Sequence, residues 1–209
     1  MSDPCDILIY VEDPGAANYV AGLPAALSAA GMEARLLAEP AAAAITAQVG
    51  AACEAPGGRL PREWLEAVRP RLVVVGTSEN LDTPAFAFTA AARAMGIPTV
   101  GAVDAASNSA YRFRGRSANA LEHAPDRLMV PDAWTKQSYA KLGYPADRIA
   151  VCGHPHFDTV RAFRAGFDEK GRSALRERLY PAAGNAPVVV FVAEISGGLN
   201  EGQYRKSAD

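Results

Sequence analysis

Several acidic residues and a histidine directly follow apolar segments of the sequence that are rich in Val and Ile. Glu12 and Asp13 follow the first such segment, Asp104 follows a later one, and His154 follows the sixth. A carboxylate can remove a proton from a ligand hydroxyl, and a histidine can give or take a proton near neutral pH. Asp104, His154 and Glu12 are therefore candidates for a catalytic acid or base, and no motif decides among them.

Other polar residues close to these three could contact a bound substrate. We predict substrate-binding roles for Asp13, Gly15, Asn18, Ser78, Glu79, Asn108, Arg112, Arg114 and His156. The turn at Gly15 lacks both the GxGxxG and the Walker phosphate-binding patterns. Because Glu12 and Asp13 would repel a phosphate there, sugar hydroxyls or a base edge are the expected partners. The simpler alternative is that these two carboxylates only cap a helix.

Four side chains that can bind metals alternate at a spacing of two: Cys152, His154, His156 and Asp158. In a continuous extended strand they would share one face and could hold a metal ion. Gly153 and Pro155 interrupt such a strand, so the sequence predicts no metal site. One histidine acting as an acid, a base or a hydrogen-bond donor is favoured. The alternative is that both imidazoles orient a hinge loop through backbone contacts.

Residues 111–116 alternate aromatic and cationic side chains within a long irregular stretch, 104–119. Arginines beside aromatic rings could hold a phosphate or an anionic lipid surface, which predicts peripheral membrane association. The alternative is a solvated loop whose aromatic rings pack on the rim of the sheet. Trp134 and Tyr139 are predicted to belong to the core.

The composition excludes several classes of protein. The 209 residues carry 21 basic and 23 acidic side chains, which gives no overall field for binding nucleic acid. The three cysteines are an odd number without CxxC spacing, which indicates a reducing compartment. The N-terminus has no signal-peptide pattern, and no apolar run approaches the roughly 20 residues of a membrane span. We therefore predict a cytoplasmic protein.

Short apolar segments alternate with segments of helical length along the whole chain. Strands are predicted at 7–11, 34–38, 72–75, 98–103, 127–130, 148–152 and 187–192. Helices are predicted at 16–30, 40–49, 61–68, 83–95, 132–142 and 157–179. Pro24 kinks the first helix or marks a later start, and Gly166 and Gly171 interrupt the last one.

This alternation is typical of right-handed βαβ units. The predicted fold class is α/β and Rossmann-like, with a mostly parallel sheet of about six to seven strands and helices on both faces. Ligands of such sheets bind beyond the carboxyl ends of the strands, where the candidate residues lie. Three parts are expected: a Rossmann-like domain at 1–155, a helical linker at 156–186, and the start of a second, truncated α/β domain at 187–209.

Several segments together resemble the N-terminal half of GT-B type enzymes, the twin-Rossmann glycosyltransferases and the related sugar-nucleotide 2-epimerases. The resemblance is carried by residues 7–15, 69–75, 96–100, 126–131, 142–145 and 151–155. It is a resemblance of pattern over most of the chain, and no single motif is diagnostic.

The resemblance implies that this half binds a sugar or sugar-phosphate acceptor, and that a nucleotide sugar is bound through a second domain. The loop from Glu12 to Gly15, the Asp104 loop and the His154 turn are the implied contacts. No cofactor is implied. The implied function is the acceptor-side half of a glycosyltransferase or sugar-nucleotide-processing enzyme in surface polysaccharide biosynthesis, incomplete on its own. Two alternatives stay open: a non-catalytic module that binds a nucleotide or sugar phosphate, and a small hydrolase or epimerase that uses His154 and His156.

Overall fold

A six-stranded parallel sheet forms the centre of the computed structural model, which describes residues 4–191. The strands are β1 (Ile7–Val11), β2 (Ala34–Ala38), β3 (Leu72–Gly76), β4 (Thr99–Ala102), β5 (Arg127–Val130) and β6 (Ile149–Val151). Their order is β2-β1-β3-β4-β5-β6, and every neighbouring pair is parallel. The predicted Rossmann-like α/β fold is confirmed, with six strands.

Eight helices connect or follow these strands within the described residues. They are α1 (Pro14–Val20), α2 (Leu23–Ala29), α3 (Pro40–Gln48), α4 (Pro61–Val68), α5 (Pro84–Ala94), α6 (Ala133–Lys141), α7 (His156–Ala165) and α8 (Glu169–Leu179). Four of them begin with proline, whose missing N–H costs nothing at the first helical position. Asp132 caps α6 by accepting a hydrogen bond from the Thr135 N–H at 2.7 Å.

Alternate residues of the central strands face opposite sides of the sheet, and helices cover both sides. Leu8 and Tyr10 of β1 pack with side chains of α4 and α5. Ile9 and Val11 pack on the other face with side chains of α1 and α3. Because both faces are covered, β1 is apolar at all five positions, and all five are buried.

The first predicted helix is two helices in the structure. α1 ends at Val20, and α2 starts at Leu23 with Pro24 in its first turn. Proline inside a continuous helix would remove a backbone hydrogen bond and clash with the preceding turn, whereas it is tolerated at a helix start. Of the two interpretations of Pro24, the later helix start is therefore the correct one.

The chain divides into two compact units, Met1–Pro155 and His156–Asp209. In the second unit the predicted break at Gly166 is confirmed, because α7 ends at Ala165. The predicted break at Gly171 is wrong. Asp168 caps α8 by accepting a hydrogen bond from the Gly171 N–H at 2.7 Å, so this glycine belongs to the first turn.

The seventh predicted strand, 187–192, is not found over 187–191. A strand needs a neighbour to pair its backbone groups, and no ladder partner exists for this segment among the described residues. Val192 and most of the predicted second domain lie outside the described residues. No helix within residues 4–191 is long and apolar enough to cross a membrane.

Candidate functional site

The order of the strands places a crevice at the carboxyl ends of β1 and β3. From β1 the chain proceeds to β2 on one side, and later to β3 on the other. Connections that diverge in this way leave an opening between the helices, which is the usual ligand position in open parallel sheets. Gly76, the last residue of β3, is close to α1 here: an added Cβ would lie 2.6 Å from the Ala16 Cβ.

Carboxylates from three loops line this crevice, together with other polar residues. Glu12 and Asp13 follow β1, Asp104 comes shortly after β4, and residues 77–80 follow β3. The Asn80 amide donates to Glu12 Oε1 at 2.6 Å. Glu12 Oε2 is buried and has no hydrogen-bond partner among the described residues. The site therefore presents acidic acceptor groups at the position where the fold binds ligands.

Arg112 is buried at the base of this cluster, with a side chain that is 7% exposed. Its Nη1 lies 2.8 Å from Asp104 Oδ1 and donates to Thr77 Oγ1 at 2.9 Å. Its Nε donates to the Ser107 carbonyl at 3.2 Å, and its Nη2 lies 4.0 Å from Glu79 Oε1. One guanidinium thus ties the long loop after β4 to the loop after β3, and it compensates the charge of Asp104.

The other arginines of the 111–116 segment also have partners within the loop region. Arg114 stacks over the Tyr111 ring at 4.3 Å, and its Nε is buried without a hydrogen-bond partner among the described residues. Arg116 forms an exposed ion pair with Asp82. Arg112 and Arg116 thus link separate loops, whereas Arg114 packs within its own loop, and no bound anion is required to explain the positions of Arg112 and Arg116.

Gly15 lies against Asp104 at the start of α1. A Cβ at Gly15 would lie 2.2 Å from Asp104 Oδ2 and 3.3 Å from its Cγ. Asp104 cannot turn away freely, because Arg112 holds its other carboxylate oxygen. Glycine is therefore required here by the close approach of the two loops.

Burial raises the pKa of the Asp13 carboxyl above its usual value. The charges of Glu12 and Asp104 act in the same direction, whereas a hydrogen bond from Ser78 and the charge of Arg112 act in the opposite one. A carboxylate with a raised pKa holds a proton more tightly, which suits a group that accepts a proton from a ligand.

We expect Asp13→Asn to remove a pH dependence of the free energy of unfolding. The folded state keeps the Asp13 proton at pH values where the unfolded chain, with an aspartate pKa of about 3.9, has released it. The wild-type free energy of unfolding should therefore fall as pH rises from about 4 through the raised pKa. Urea unfolding of both proteins across this interval should show the variant gaining stability relative to the wild type as pH rises.

Asp132→Ala is the control of opposite sign for this experiment. The backbone N–H and hydroxyl of Thr135 lower the pKa of Asp132. The stability that the ionised Asp132 carboxylate contributes is therefore lost as pH falls. The free energy of unfolding of Asp132→Ala should therefore fall further below that of the wild type as pH rises. The raised pKa of Asp13 would be contradicted if the difference in free energy of unfolding between Asp13→Asn and the wild type stayed constant with pH. It would also be contradicted if that difference changed with pH in the same direction as for Asp132→Ala.

The structure brings most of the predicted site residues together at this crevice. Glu12, Asp13, Gly15, Ser78, Glu79, Asp104, Asn108 and Arg112 come from loops that contact one another. Asn108 donates to Glu79 Oε1 at 2.9 Å, and its φ of +58° is one that asparagine tolerates. Asn18 is half-buried in α1.

The two histidines belong to different units of the chain. The His154 ring packs edge-on against Tyr19, with centroids 5.0 Å apart, and His156 is the first residue of α7. Gly153 has a φ of +77°, so the backbone leaves the extended conformation after Cys152. Within residues 4–191, no group of three or more His, Cys, Asp or Glu side chains is arranged to hold a metal ion.

Sequence reasoning did not select two residues that anchor this site, and it wrongly predicted that a third residue, Trp134, belongs to the core. Thr77 and Asn80 anchor Arg112 and Glu12, and their position directly after β3 was the available signal. Trp134 was predicted to be core and is 75% exposed, because it lies at the second position of α6 while Tyr139 occupies the buried face. The prediction for Tyr139, which is 0% exposed, is confirmed.

Solved structures of two UDP-GlcNAc 2-epimerases and a glycotransferase share this architecture. UDP-GlcNAc 2-epimerase from Neisseria meningitidis, bound to UDP-GlcNAc, matches with a TM-score of 0.56 and 16% identity over 86% of this chain and 54% of that one. The Methanocaldococcus jannaschii UDP-GlcNAc 2-epimerase, in complex with UDP-GlcNAc and UDP, matches with a TM-score of 0.57 and 16% identity over 84% and 54%. The glycotransferase of kitacinnamycin matches with a TM-score of 0.51 and 18% identity over 72% and 51%. The first unit of this chain has the fold of a Rossmann-like half of GT-B type enzymes.

The expected resemblance to GT-B enzymes is confirmed at the level of the fold. The chain spans about half the length of these solved structures. No protein-family model matches the chain, and no curated protein sequence does. At these identities the similarity concerns the arrangement of the GT-B-like sheet and its helices, so the chemistry has to be argued from the crevice itself.

Proposed function

We propose that this chain is the acceptor-side half of a GT-B-like glycosyltransferase or sugar-nucleotide-processing enzyme, and that it acts in surface polysaccharide biosynthesis. The acidic crevice at the β1–β3 switch point is the observation that carries the proposal. The fold similarity to two UDP-GlcNAc 2-epimerases and a glycotransferase supports the class of enzyme. The pathway is assigned from the resemblance alone.

The charges at the crevice favour a ligand rich in hydroxyl groups. Glu12, Asp13, Glu79 and Asp104 supply carboxylates, and Arg112 is the cation placed among them in the described loops. Carboxylates accept hydrogen bonds from hydroxyls and repel phosphates. A sugar acceptor would therefore bind here, and the diphosphate of a nucleotide sugar would be held by a second domain.

Asp13, for which the sequence predicts a substrate-binding role, is the group that we propose as the base. Burial raises its pKa, and so do the charges of Glu12 and Asp104. In the proposed transfer the Asp13 carboxylate takes the proton of the acceptor hydroxyl while that oxygen forms the new bond to the sugar carbon. The bond from that carbon to the nucleotide diphosphate breaks, and the diphosphate leaves. Glu12 and Asp104 would orient the acceptor, and His154, whose ring packs against Tyr19 of α1, would serve as a second acid or base.

The non-catalytic alternative, a module that binds a nucleotide or sugar phosphate, has less support. Such a module needs cations or free N–H groups directed at the phosphate. Arg112 is instead paired with Asp104 below the crevice, and Arg116 is paired with Asp82. Burial of Arg112 also leaves fewer cations on this loop for an anionic membrane surface.

A thermal-shift panel of UDP-, GDP-, CDP- and CMP-sugars on this chain tests whether the nucleotide sugar is bound outside this half of the enzyme. A ligand at 100 times its dissociation constant adds about 2.7 kcal/mol to the free energy of unfolding, which is a shift of several degrees. We expect no shift with any of the four. A clear shift with one nucleotide would mean that the nucleotide is bound by this half, which contradicts the proposal.

A further inference from the structure

Trp134 is the most exposed of the large apolar side chains that the structure describes in the first unit. It is 75% exposed, whereas the other tryptophan, Trp64, is 6% exposed and packs in the core. Tryptophan carries a large apolar area that folding normally removes from water. Its exposure is therefore a feature that packing of the first unit does not explain.

Its position in the fold is at the ligand-binding edge of the sheet. α6 begins at Ala133, directly after the carboxyl end of β5, and Trp134 is its second residue. β5 is hydrogen-bonded to β4, and Val103, one residue before Asp104, donates its N–H to the Met129 carbonyl at 2.9 Å. Neighbouring strands are about 4.8 Å apart, so Trp134 and Asp104 follow adjacent strand ends on the same edge.

The start of α6 does not depend on the tryptophan. Asp132 caps the helix through the N–H and hydroxyl of Thr135, at 2.7 and 2.9 Å. The buried face of α6 is supplied by Thr135 and Tyr139, both 0% exposed. A polar or small residue at position 134 would leave these contacts intact, so the large apolar ring has no evident structural role in the first unit.

We propose that Trp134 is a stacking platform for a sugar ring of the ligand bound at this edge. This inference rests on the proposed function and names a further binding residue for it. A pyranose ring has one face lined by C–H groups, which packs on an indole face, while its hydroxyls point outward to hydrogen-bond acceptors. The carboxylates after β1 and β4 are such acceptors on the same edge, so the proposed ligand is a saccharide of several units that extends along the strand ends from β5 towards β1.

The test compares retention of variants on a broad array of immobilised oligosaccharides. Some saccharides on the array should retain the wild type. For these, we expect Trp134→Ala to lower the affinity about tenfold or more, since tryptophan truncations are among the costliest in binding sites. Trp134→Phe should keep most of it, because it keeps an aromatic face. Val49→Ala is the matched control: Val49 is 56% exposed at the far end of α3, away from the carboxyl edge.

Fluorescence supplies a readout that does not depend on truncating the ring. Replacing Trp64 with Phe leaves Trp134 as the single tryptophan of the chain. Its emission should change when a retained saccharide is titrated in, and melting temperatures of the Trp134 variants should equal that of the wild type.

The outcomes separate this inference from the proposed function. Equal retention of Trp134→Ala and wild type, with no change in Trp134 emission, overturns the stacking role and leaves the proposed function standing. Failure of the wild-type chain to be retained on any saccharide overturns the proposed function, and the stacking role falls with it.

Discussion

Replacing Arg112 with methionine should lower the free energy of unfolding by about 3–5 kcal/mol, because it leaves Asp104 as an uncompensated buried charge. The Arg112 and Asp104 side chains are 7% and 15% exposed and lie 2.8 Å apart. The same substitution removes the hydrogen bonds to Thr77 and the Ser107 carbonyl, which hold the loop after β4. Urea unfolding measures the loss.

Two further variants show whether burial of the charge is the cause. Arg116→Met breaks the exposed pair with Asp82 and should change the stability little, since exposed pairs contribute little. Adding Asp104→Asn to Arg112→Met should restore part of the loss, because the unpaired charge is then gone. A loss for Arg112→Met as small as that for Arg116→Met would contradict the description of this pair.

Replacing Gly76 with alanine should cost about 1–3 kcal/mol through overpacking at the switch point. The new Cβ would lie 2.6 Å from the Ala16 Cβ and 3.0 Å from Val11 Cγ1, both in the packed core. Either α1 or the end of β3 must move, which would displace the loop that carries Asp13 or the loop that carries Ser78. Chemical denaturation of the variant measures the cost.

Gly22→Ala is the matched control for this substitution. A Cβ at Gly22 has no atom within 4 Å, and its φ of −80° is open to alanine. We expect its stability to stay close to that of the wild type. If Gly76→Ala were as stable as Gly22→Ala, the close approach of α1 to β3 would not exist in solution.

The central strands could be predicted almost to the residue because both of their faces are covered. A continuous apolar segment bounded by turn residues predicts a buried parallel strand, and β1 and β5, both inside the sheet, have the predicted bounds. The segment 187–191 shows the same apolar character and forms no strand. Its composition could not reveal whether a neighbouring strand is present to pair with it.

Side-chain partners across the loops were the part that sequence could not supply. The alternating cationic and aromatic side chains at 111–116 predict a surface that binds an anion, yet Arg112 is buried against Asp104. Nothing local to Arg112 shows that Asp104, eight residues earlier, and Thr77, in another loop, would meet it. The opposite error concerns Trp134. Its residue type predicts burial, but its position in the first turn of α6 leaves the side chain exposed.

The central claim is that an acidic crevice on this chain binds an uncharged saccharide, and the oligosaccharide array tests it most directly. The double variant Glu12→Gln, Asp13→Asn removes two charges and keeps the side-chain shapes. We expect the wild type to be retained on unphosphorylated saccharides. The affinity of the double variant for the same saccharides should be lower by about tenfold or more. Retention on phosphorylated saccharides alone, or equal retention of the two proteins, would contradict the account.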